Sequence, residues 1–213
     1  VNALARILIT SGPTRQYLDP VRYLTNASSG RMGAALAAAA VRDGHEVVVV
    51  SGPVEVDYPE KVRVVPVVST EEMLEAARRE FASCDGAIGV AAPCDYRPVK
   101  VADEKISKTG EPIVVHLVET VDVIAALGAE KEERWVVGFA LETEDHRFRA
   151  ITKAEKKSCD LMVLNSPSAM NAETTEVELL APSGELIAQL SGTKVAVSQQ
   201  IFDVIKAELL KSR

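Results

Sequence analysis

Four β-branched residues in a row, Val47-Val48-Val49-Val50, constrain this chain more than any other feature. Strand side chains point alternately to opposite faces, so an unbroken apolar run leaves no face for water. Such a strand belongs inside a sheet covered on both sides, the usual setting of parallel sheets. The rest of the chain repeats the theme. Arg6-Ile7-Leu8-Ile9-Thr10 reads as a short buried strand. Met32 to Arg42 is alanine-rich and reads as a helix that Gly44 stops. Val62 to Val68 is strand-like, and Ser69 with Glu72 fits a capping box opening a helix to about Ser83. Strands are predicted at Gly86–Val90, Trp135–Ala140 and Leu161–Leu164, and helices at Arg147–Lys157 and Val197–Leu210. The alternation predicts an α/β fold, a Rossmann-like doubly wound, mostly parallel sheet.

Two stretches break the alternation. Val99 to Leu117 is polar and then β-branched, as an extended arm or flap would be; Glu176 to Leu190 reads as a C-terminal hairpin turning at Pro182-Ser183-Gly184. No linker divides the chain, so residues 1–213 are expected to form one domain, long enough to bury a core without disulfides. The start, Val1-Asn2-Ala3, lacks an initiator methionine and suits a domain excised from a longer polypeptide.

The formal net charge of −7 argues against a broad nucleic-acid surface. No apolar run approaches the roughly 18 residues of a membrane span. Cys84, Cys94 and Cys159 are isolated and odd in number, which fits a reduced, cytoplasmic setting. His45, His116 and His146 are equally scattered and suggest no zinc site; metal ligands are not identified.

The long loop from Gly12 to Ser29 is the best place to look for chemistry, because loops of that length in compact domains are usually functional. It ends in Asn26-Ala27-Ser28-Ser29-Gly30-Arg31, where a helix opens. Free N–H groups and the helix dipole favour an anion there, and serine and arginine side chains add donors. A well-capped helix behind a solvated loop is the bland alternative. Neither GxxxxGK[ST] nor a GxGxxG after the first strand is present, so an NAD(P)-dependent reductase is possible by fold but unsupported by motif.

Three runs carry a resemblance: Ile9-Thr10-Ser11-Gly12-Pro13-Thr14-Arg15, Leu18-Asp19-Pro20-Val21-Arg22-Tyr23 and Asn26-Ala27-Ser28-Ser29-Gly30-Arg31-Met32-Gly33. Ala91-Ala92-Pro93-Cys94-Asp95-Tyr96-Arg97, Glu104-Lys105-Ile106, Gly138-Phe139-Ala140-Leu141-Glu142-Thr143 and Asp160-Leu161 extend it over most of the chain. Together they resemble the phosphopantothenoylcysteine synthetase family. In that family the carboxylate of 4′-phosphopantothenate attacks the α-phosphate of CTP with Mg²⁺, pyrophosphate leaves, and the amine of L-cysteine then displaces CMP from the acyl-cytidylate. The resemblance also implies a homodimer, with the arm aiding pairing and closure, and a fused or associated flavin-dependent decarboxylase.

Carried onto this sequence, the resemblance implies the following roles. Arg22 would hold the phosphate of phosphopantothenate, Asn26 would orient the reacting carboxylate, and Ser28, Ser29, Gly30 and Ala92 would line the substrate pocket. Gly89, Val90, Ala91, Asp95, Val121, Asp122, Val123, Ile124 and Phe139 would line the nucleotide site. Lys105 would close over the α-phosphate, and Lys153 and Lys157, four residues apart on one helix face, would meet the triphosphate. Asn26 and Lys105 are the catalytic candidates. Each has a bland rival: a solvated charge run at Asp103-Glu104-Lys105, a solvated helix face at Lys153 and Lys157, a core aromatic at Phe139, a turn cap at Asp95. The chain departs from the family pattern at Val121, where proline is common, and at Asn165-Ser166, which leads into Met170-Asn171-Ala172. A non-catalytic nucleotide- or phosphopantothenate-binding subunit is a second alternative, against which the presence of both Asn26 and Lys105 speaks.

Overall fold

In the computed structural model, which describes residues 4–141, 146–165 and 174–210, the valine run lies in β4 (Glu46–Ser51), every valine at most 1 % exposed. Its parallel neighbours are β1 (Arg6–Ser11) and β5 (Arg63–Pro66). Beyond β1 come β6 (Gly86–Gly89), β9 (Trp135–Leu141) and β10 (Leu161–Asn165), also parallel. The hairpin β11 (Thr174–Leu180) and β12 (Leu186–Thr193) continues the sheet antiparallel, giving the order β12-β11-β10-β9-β6-β1-β4-β5.

Helices α1 (Arg31–Arg42) and α5 (Lys194–Leu209) cover one face; α2 (Thr70–Phe81), α3 (Val123–Ala129) and α4 (His146–Lys156) cover the other. Alternation along the strands sorts the core. Ile7, Ile9, Val47, Val49 and Ile88 meet Leu36, Ala37, Ile201 and Phe202. Leu8, Val48, Val50 and Ala87 meet Met73, Ala77, Phe81 and Leu127. Each fully buried aliphatic side chain contributes about 1.5–3 kcal/mol. A one-residue slip would exchange the two faces of every strand, so the register is firmly set. The α1–α5 contacts pair Met32 with Ser198 and Asp43 with Lys206, so the two helices run in the same direction.

The expected capping box at α2 is present. Ser69 Oγ accepts from the Glu72 N–H at 3.1 Å, while the Glu72 carboxylate reaches back to the N–H of Val68 at 2.8 Å. Such a cap stabilises a helix by about 1 kcal/mol.

Several boundaries differ from the sequence reading. The strand expected over Val62–Val68 shortens to β5, ending at Pro66, which lacks the N–H to carry a ladder further. The Gly12–Ser29 loop contains a small hairpin, β2 (Arg15–Tyr17) with β3 (Tyr23–Thr25). The arm is strand only at its base, where β7 (Tyr96–Pro98) pairs with β8 (Leu117–Glu119); Ile113-Val114-Val115 form no strand and are exposed. Helix α3 was not anticipated; Asp122 caps it by accepting from the Ala125 N–H at 3.0 Å. Helix α5 starts three residues before the expected Val197, because Thr193 caps it through the N–H of Ala196. Glu142, Thr143, Ser166 and Met170–Ala172 lie outside the described residues.

Candidate active site

From β1 the chain moves to β4 and β5, then returns through α2 to place β6 on the other side of β1. In doubly wound sheets the crevice at the strand carboxyl ends, where the order reverses, is the usual ligand site. A cleft opens there in two lobes, of about 520 and 550 Å³. Ala91, Pro93, Asp95, Phe139, Lys153 and Lys157 line both, so the lobes are continuous.

The Gly12–Ser29 loop is tied down from beneath. Thr14 is buried; its hydroxyl lies 2.8 Å from that of Thr70 and accepts from the Cys94 N–H at 2.8 Å. The backbones of Pro13 and Gly52 approach so closely that a Cβ on Gly52 would lie 1.6 Å from the Pro13 carbonyl oxygen. On this base Asn26 faces the second lobe. Its Nδ2 donates to the carbonyl oxygens of Pro93 at 2.8 Å and Ala92 at 3.3 Å. The group left for a ligand is therefore Oδ1, an acceptor.

Gly30 starts α1 with a left-handed backbone, φ 75°, and no side chain caps the helix. No acid lies in its first turn. Its N-terminus, from Gly30 to Gly33, opens directly on the second lobe with Ser28, Ser29 and Arg31 beside it. Orphan N–H groups and the dipole make this an anion-binding end. Gly33 permits it, because a Cβ there would lie 2.1 Å from Ser11 Oγ.

The first lobe brings together Gly89, Asp95, Val121–Ile124 and Phe139. Lys157 enters it at the end of α4 and pairs with Asp122 at 2.9 Å. Burial alone would raise the Asp122 pKa, but the Ala125 N–H and the Lys157 ammonium outweigh it and hold the carboxyl below its usual value. Lys153 stands one turn back on the same helix and lines both lobes. Val90 and Ala92 line the second lobe.

Two expected site residues do not line this cleft. Arg22 donates to Asp19 at 2.6 Å and to the carbonyl oxygen of Ile106 at 3.0 Å. Asp19, buried beneath the loop, also accepts from the N–H groups of Val21, Arg22 and Ile106. Burial pushes its pKa up, yet these four donors prevail and hold it at about 2. Arg22 is thus a strut between loop and arm. Lys105 sits on the arm, exposed, next to the pinned Ile106. Cys94 is buried, its sulfur 3.4 Å from the carbonyl oxygens of Thr14 and Leu24, and burial raises the thiol pKa, which does not suit a nucleophile.

Sequence reading passed over several lining residues. Thr10, next to last in β1, lies beneath the first lobe at 1 % exposure, and its hydroxyl has no hydrogen-bond partner among the described residues. A polar residue closing an apolar strand was the available signal. Glu119 and Thr120 in the first lobe and Asn165, Thr175 and Lys194 in the second come from elements that only the topology brings near. Among the described residues no cluster of His, Cys, Asp or Glu could hold a metal ion.

A profile of the family described as DNA/pantothenate metabolism flavoprotein C-terminal domain matches residues 3–209. The chain is 41 % identical over 207 residues to the coenzyme A biosynthesis bifunctional protein CoaBC of Vibrio vulnificus strain YJ016, covering 94 % of this chain and 51 % of that protein. It is 38 % identical over 206 residues to the CoaBC protein of Bacillus subtilis strain 168, with the same coverages. It therefore spans about half the length of the curated relatives it matches. Among solved structures, the C-terminal domain of a CoaBC protein superposes with a TM-score of 0.84 at 37 % identity, covering 100 % of both chains.

Proposed function

This chain belongs to the family of DNA/pantothenate metabolism flavoprotein C-terminal domains, and from that premise we propose that it is a ligase joining L-cysteine to 4′-phosphopantothenate in coenzyme A biosynthesis. CTP is cleaved to CMP and pyrophosphate through an acyl-cytidylate. The observation that carries the reading is the two-lobed cleft itself, with an uncapped helix N-terminus in one lobe and a pair of lysines common to both. One lobe suits a nucleoside; the other suits phosphates and the acid to be activated.

In the first step a carboxylate oxygen attacks the α-phosphorus, the bond to the β-phosphoryl oxygen breaks, and pyrophosphate leaves. Gly89, Val90, Ala91, Asp95, Phe139 and the Val121–Ile124 turn hold the nucleoside. Lys153, Lys157 and the N–H groups at Ser28, Ser29 and Gly30 surround the phosphates, where fixed donors stabilise developing charge best. A Mg²⁺ ion, when bound, supplies further charge neutralisation on those phosphates. In the second step the cysteine amine attacks the acyl carbon and CMP leaves. Asn26 Oδ1 accepts a hydrogen bond from that amine and aims its lone pair, and Ala92 lines the acyl side of the pocket. A free α-amine has a pKa near ~8, so part of it is neutral without a strong base.

Ile106, pinned by Asp19 and Arg22, is the pivot on which the arm brings Lys105 over the α-phosphate. The arm exposes Val99, Val101, Ile113, Val114 and Val115, an apolar surface that a second copy covers in a homodimer. The 213 residues act as one catalytic unit in the cytoplasm. A flavin-dependent decarboxylase, fused or associated, consumes the product. The described residues contain no helix long and apolar enough to cross a membrane.

The test is pyrophosphate release with CTP, 4′-phosphopantothenate and Mg²⁺, with and without cysteine, and with ATP as control. CTP-dependent release, with phosphopantothenoylcysteine forming only when cysteine is present, is the expected result. No release with either nucleotide from folded protein would overturn the ligase reading. In the Asn26→Ala variant the acyl-cytidylate should accumulate; full turnover would remove Asn26 from the mechanism.

A further inference from the structure

The second lobe extends outward across the sheet, past β9, to the ends of β10 and β11 and the first residue of α5. Lys194 is half-buried there and has no carboxylate partner among the described residues. Asn165 stands beside it with a set orientation. The hydroxyl of Thr175, a side chain only 4 % exposed, donates to Asn165 Oδ1 at 3.4 Å, leaving the Nδ2 donors for the lobe. Arg31 lines the same lobe, whose single lining acid among the described residues, Asp95, is shared with the other lobe. Because α1 and α5 run parallel, both helices also turn their positive ends this way. Two cations and an amide donor thus line this lobe, against one acid, Asp95, among the described residues.

We propose that Lys194, with Asn165 and Arg31, forms an oxyanion subsite that holds the two terminal phosphoryl groups of the nucleotide and the pyrophosphate they become. The inference rests on the ligase reading above and assigns that reaction's leaving group a place. As the carboxylate oxygen bonds to the α-phosphorus, the electron pair of the broken P–O bond departs on pyrophosphate, and the subsite stabilises that charge. An amino-acid carboxylate has the same chemistry, but its single charge does not call for two cations. Pyrophosphate, with several charges, does.

Calorimetry on the whole chain with pyrophosphate, CMP and CTP as probes tests this without turnover. Lys194→Gln should weaken pyrophosphate and CTP by about tenfold or more, the loss of one charge-assisted bond. CMP, which lacks the terminal groups, should bind as in the wild type, and Lys194→Arg should keep most of the affinity. Asn165→Ala, on a different element, should show the same selectivity to a smaller degree, so a poorly folded Lys194 variant does not end the test. Wild-type protein that fails to bind pyrophosphate, or variants that bind it unchanged, would overturn the subsite. So would a raised KM for cysteine with unchanged pyrophosphate binding, which would hand these residues to the amino-acid carboxylate. Pyrophosphate binding that depends on Lys194 in a protein that cannot ligate would leave the subsite standing and remove the ligase reading instead.

Discussion

Gly128 sits inside α3, where helix propensity alone says that alanine should stabilise by about 1 kcal/mol. The packing reverses that sign. A Cβ at this position would lie 1.9 Å from the carbonyl oxygen of Lys157, 3.0 Å from its carbonyl carbon and 3.3 Å from Ser158 Cβ. A carbon cannot approach an oxygen much below ~3 Å, so α3 and the end of α4 must part by about 1 Å. The obstacle is backbone and cannot swing aside; the Lys157 N–H is itself held by the Lys153 carbonyl at 2.9 Å. Overpacking of this kind costs about 1–3 kcal/mol, toward the upper end where backbone must move. With the propensity gain subtracted, Gly128→Ala is expected to destabilise by about 1–2 kcal/mol. At roughly 2–4 °C per kcal/mol for a domain of this size, Tm should fall by about 2–8 °C. The Asp122–Lys157 pair bridges the same two elements, so CTP affinity should fall as well. Urea unfolding followed through the single tryptophan, Trp135, gives the free energy, and calorimetry gives the affinity. An unchanged or increased stability would mean that α3 and α4 do not approach as described, and would refute the reasoning.

Other expectations follow from buried polar groups. His45 Nδ1 accepts from the N–H of Ala5 at 3.1 Å, and burial lowers its pKa. Stability should thus be level above the unfolded pKa of about 6.5 and decline as pH falls below it; urea midpoints at pH 8, 6.5 and 5.5 that change no more in the wild type than in His45→Gln would contradict this. Asp19 titrates at about 2 in the fold against roughly 3.9 when unfolded, so its contribution is complete above pH ~4 and disappears toward pH 2. Asp19→Asn should release Arg22 and the Ile106 pivot, and limited proteolysis between residues 99 and 117 should then proceed faster; an unchanged cleavage rate would sink the strut. Thr10→Val removes a hydroxyl that has no partner among the described residues, so thermal unfolding should occur no earlier than in the wild type. A loss of more than about 1 kcal/mol would show that the hydroxyl is engaged within the fold.

The parallel sheet was legible because Val47–Val50, Ile7–Ile9 and Ile88 carry burial in their chemistry, and strand periodicity is local. The opening of α1 behind Asn26–Arg31 was legible for the same reason, since a helix start is a matter of a few adjacent residues. At Arg22 the local part was in view, since Asp19 is only three residues away, but the arm's share was not: the Ile106 N–H reaches Asp19 from 87 residues downstream. Helix α3 was hidden by its shortness and by Gly128, which reads as a breaker and is in fact required by the close passage of Lys157. Lys194 and Thr175 had no local signal; the antiparallel turn of β11 carries the start of that strand to the edge where the parallel strands end.

The pairing of α1 with α5 has a consequence for how the molecule comes to be folded. Contacts such as Met32 with Ser198 and Asp43 with Lys206 join segments 166 and 163 residues apart. The apolar face over Leu36, Ile9 and Val49 is completed by Val197, Ile201 and Phe202. A chain emerging from the ribosome at about 5–20 residues per second must therefore carry that half-covered face for some ten to thirty seconds before its cover arrives. Closing so long a loop is also slow relative to forming local structure. The second face, assembled mainly from residues 67 to 180, can close sooner. Its early completion leaves a one-sided intermediate whose exposed sheet surface is the part of this protein most in need of a chaperone.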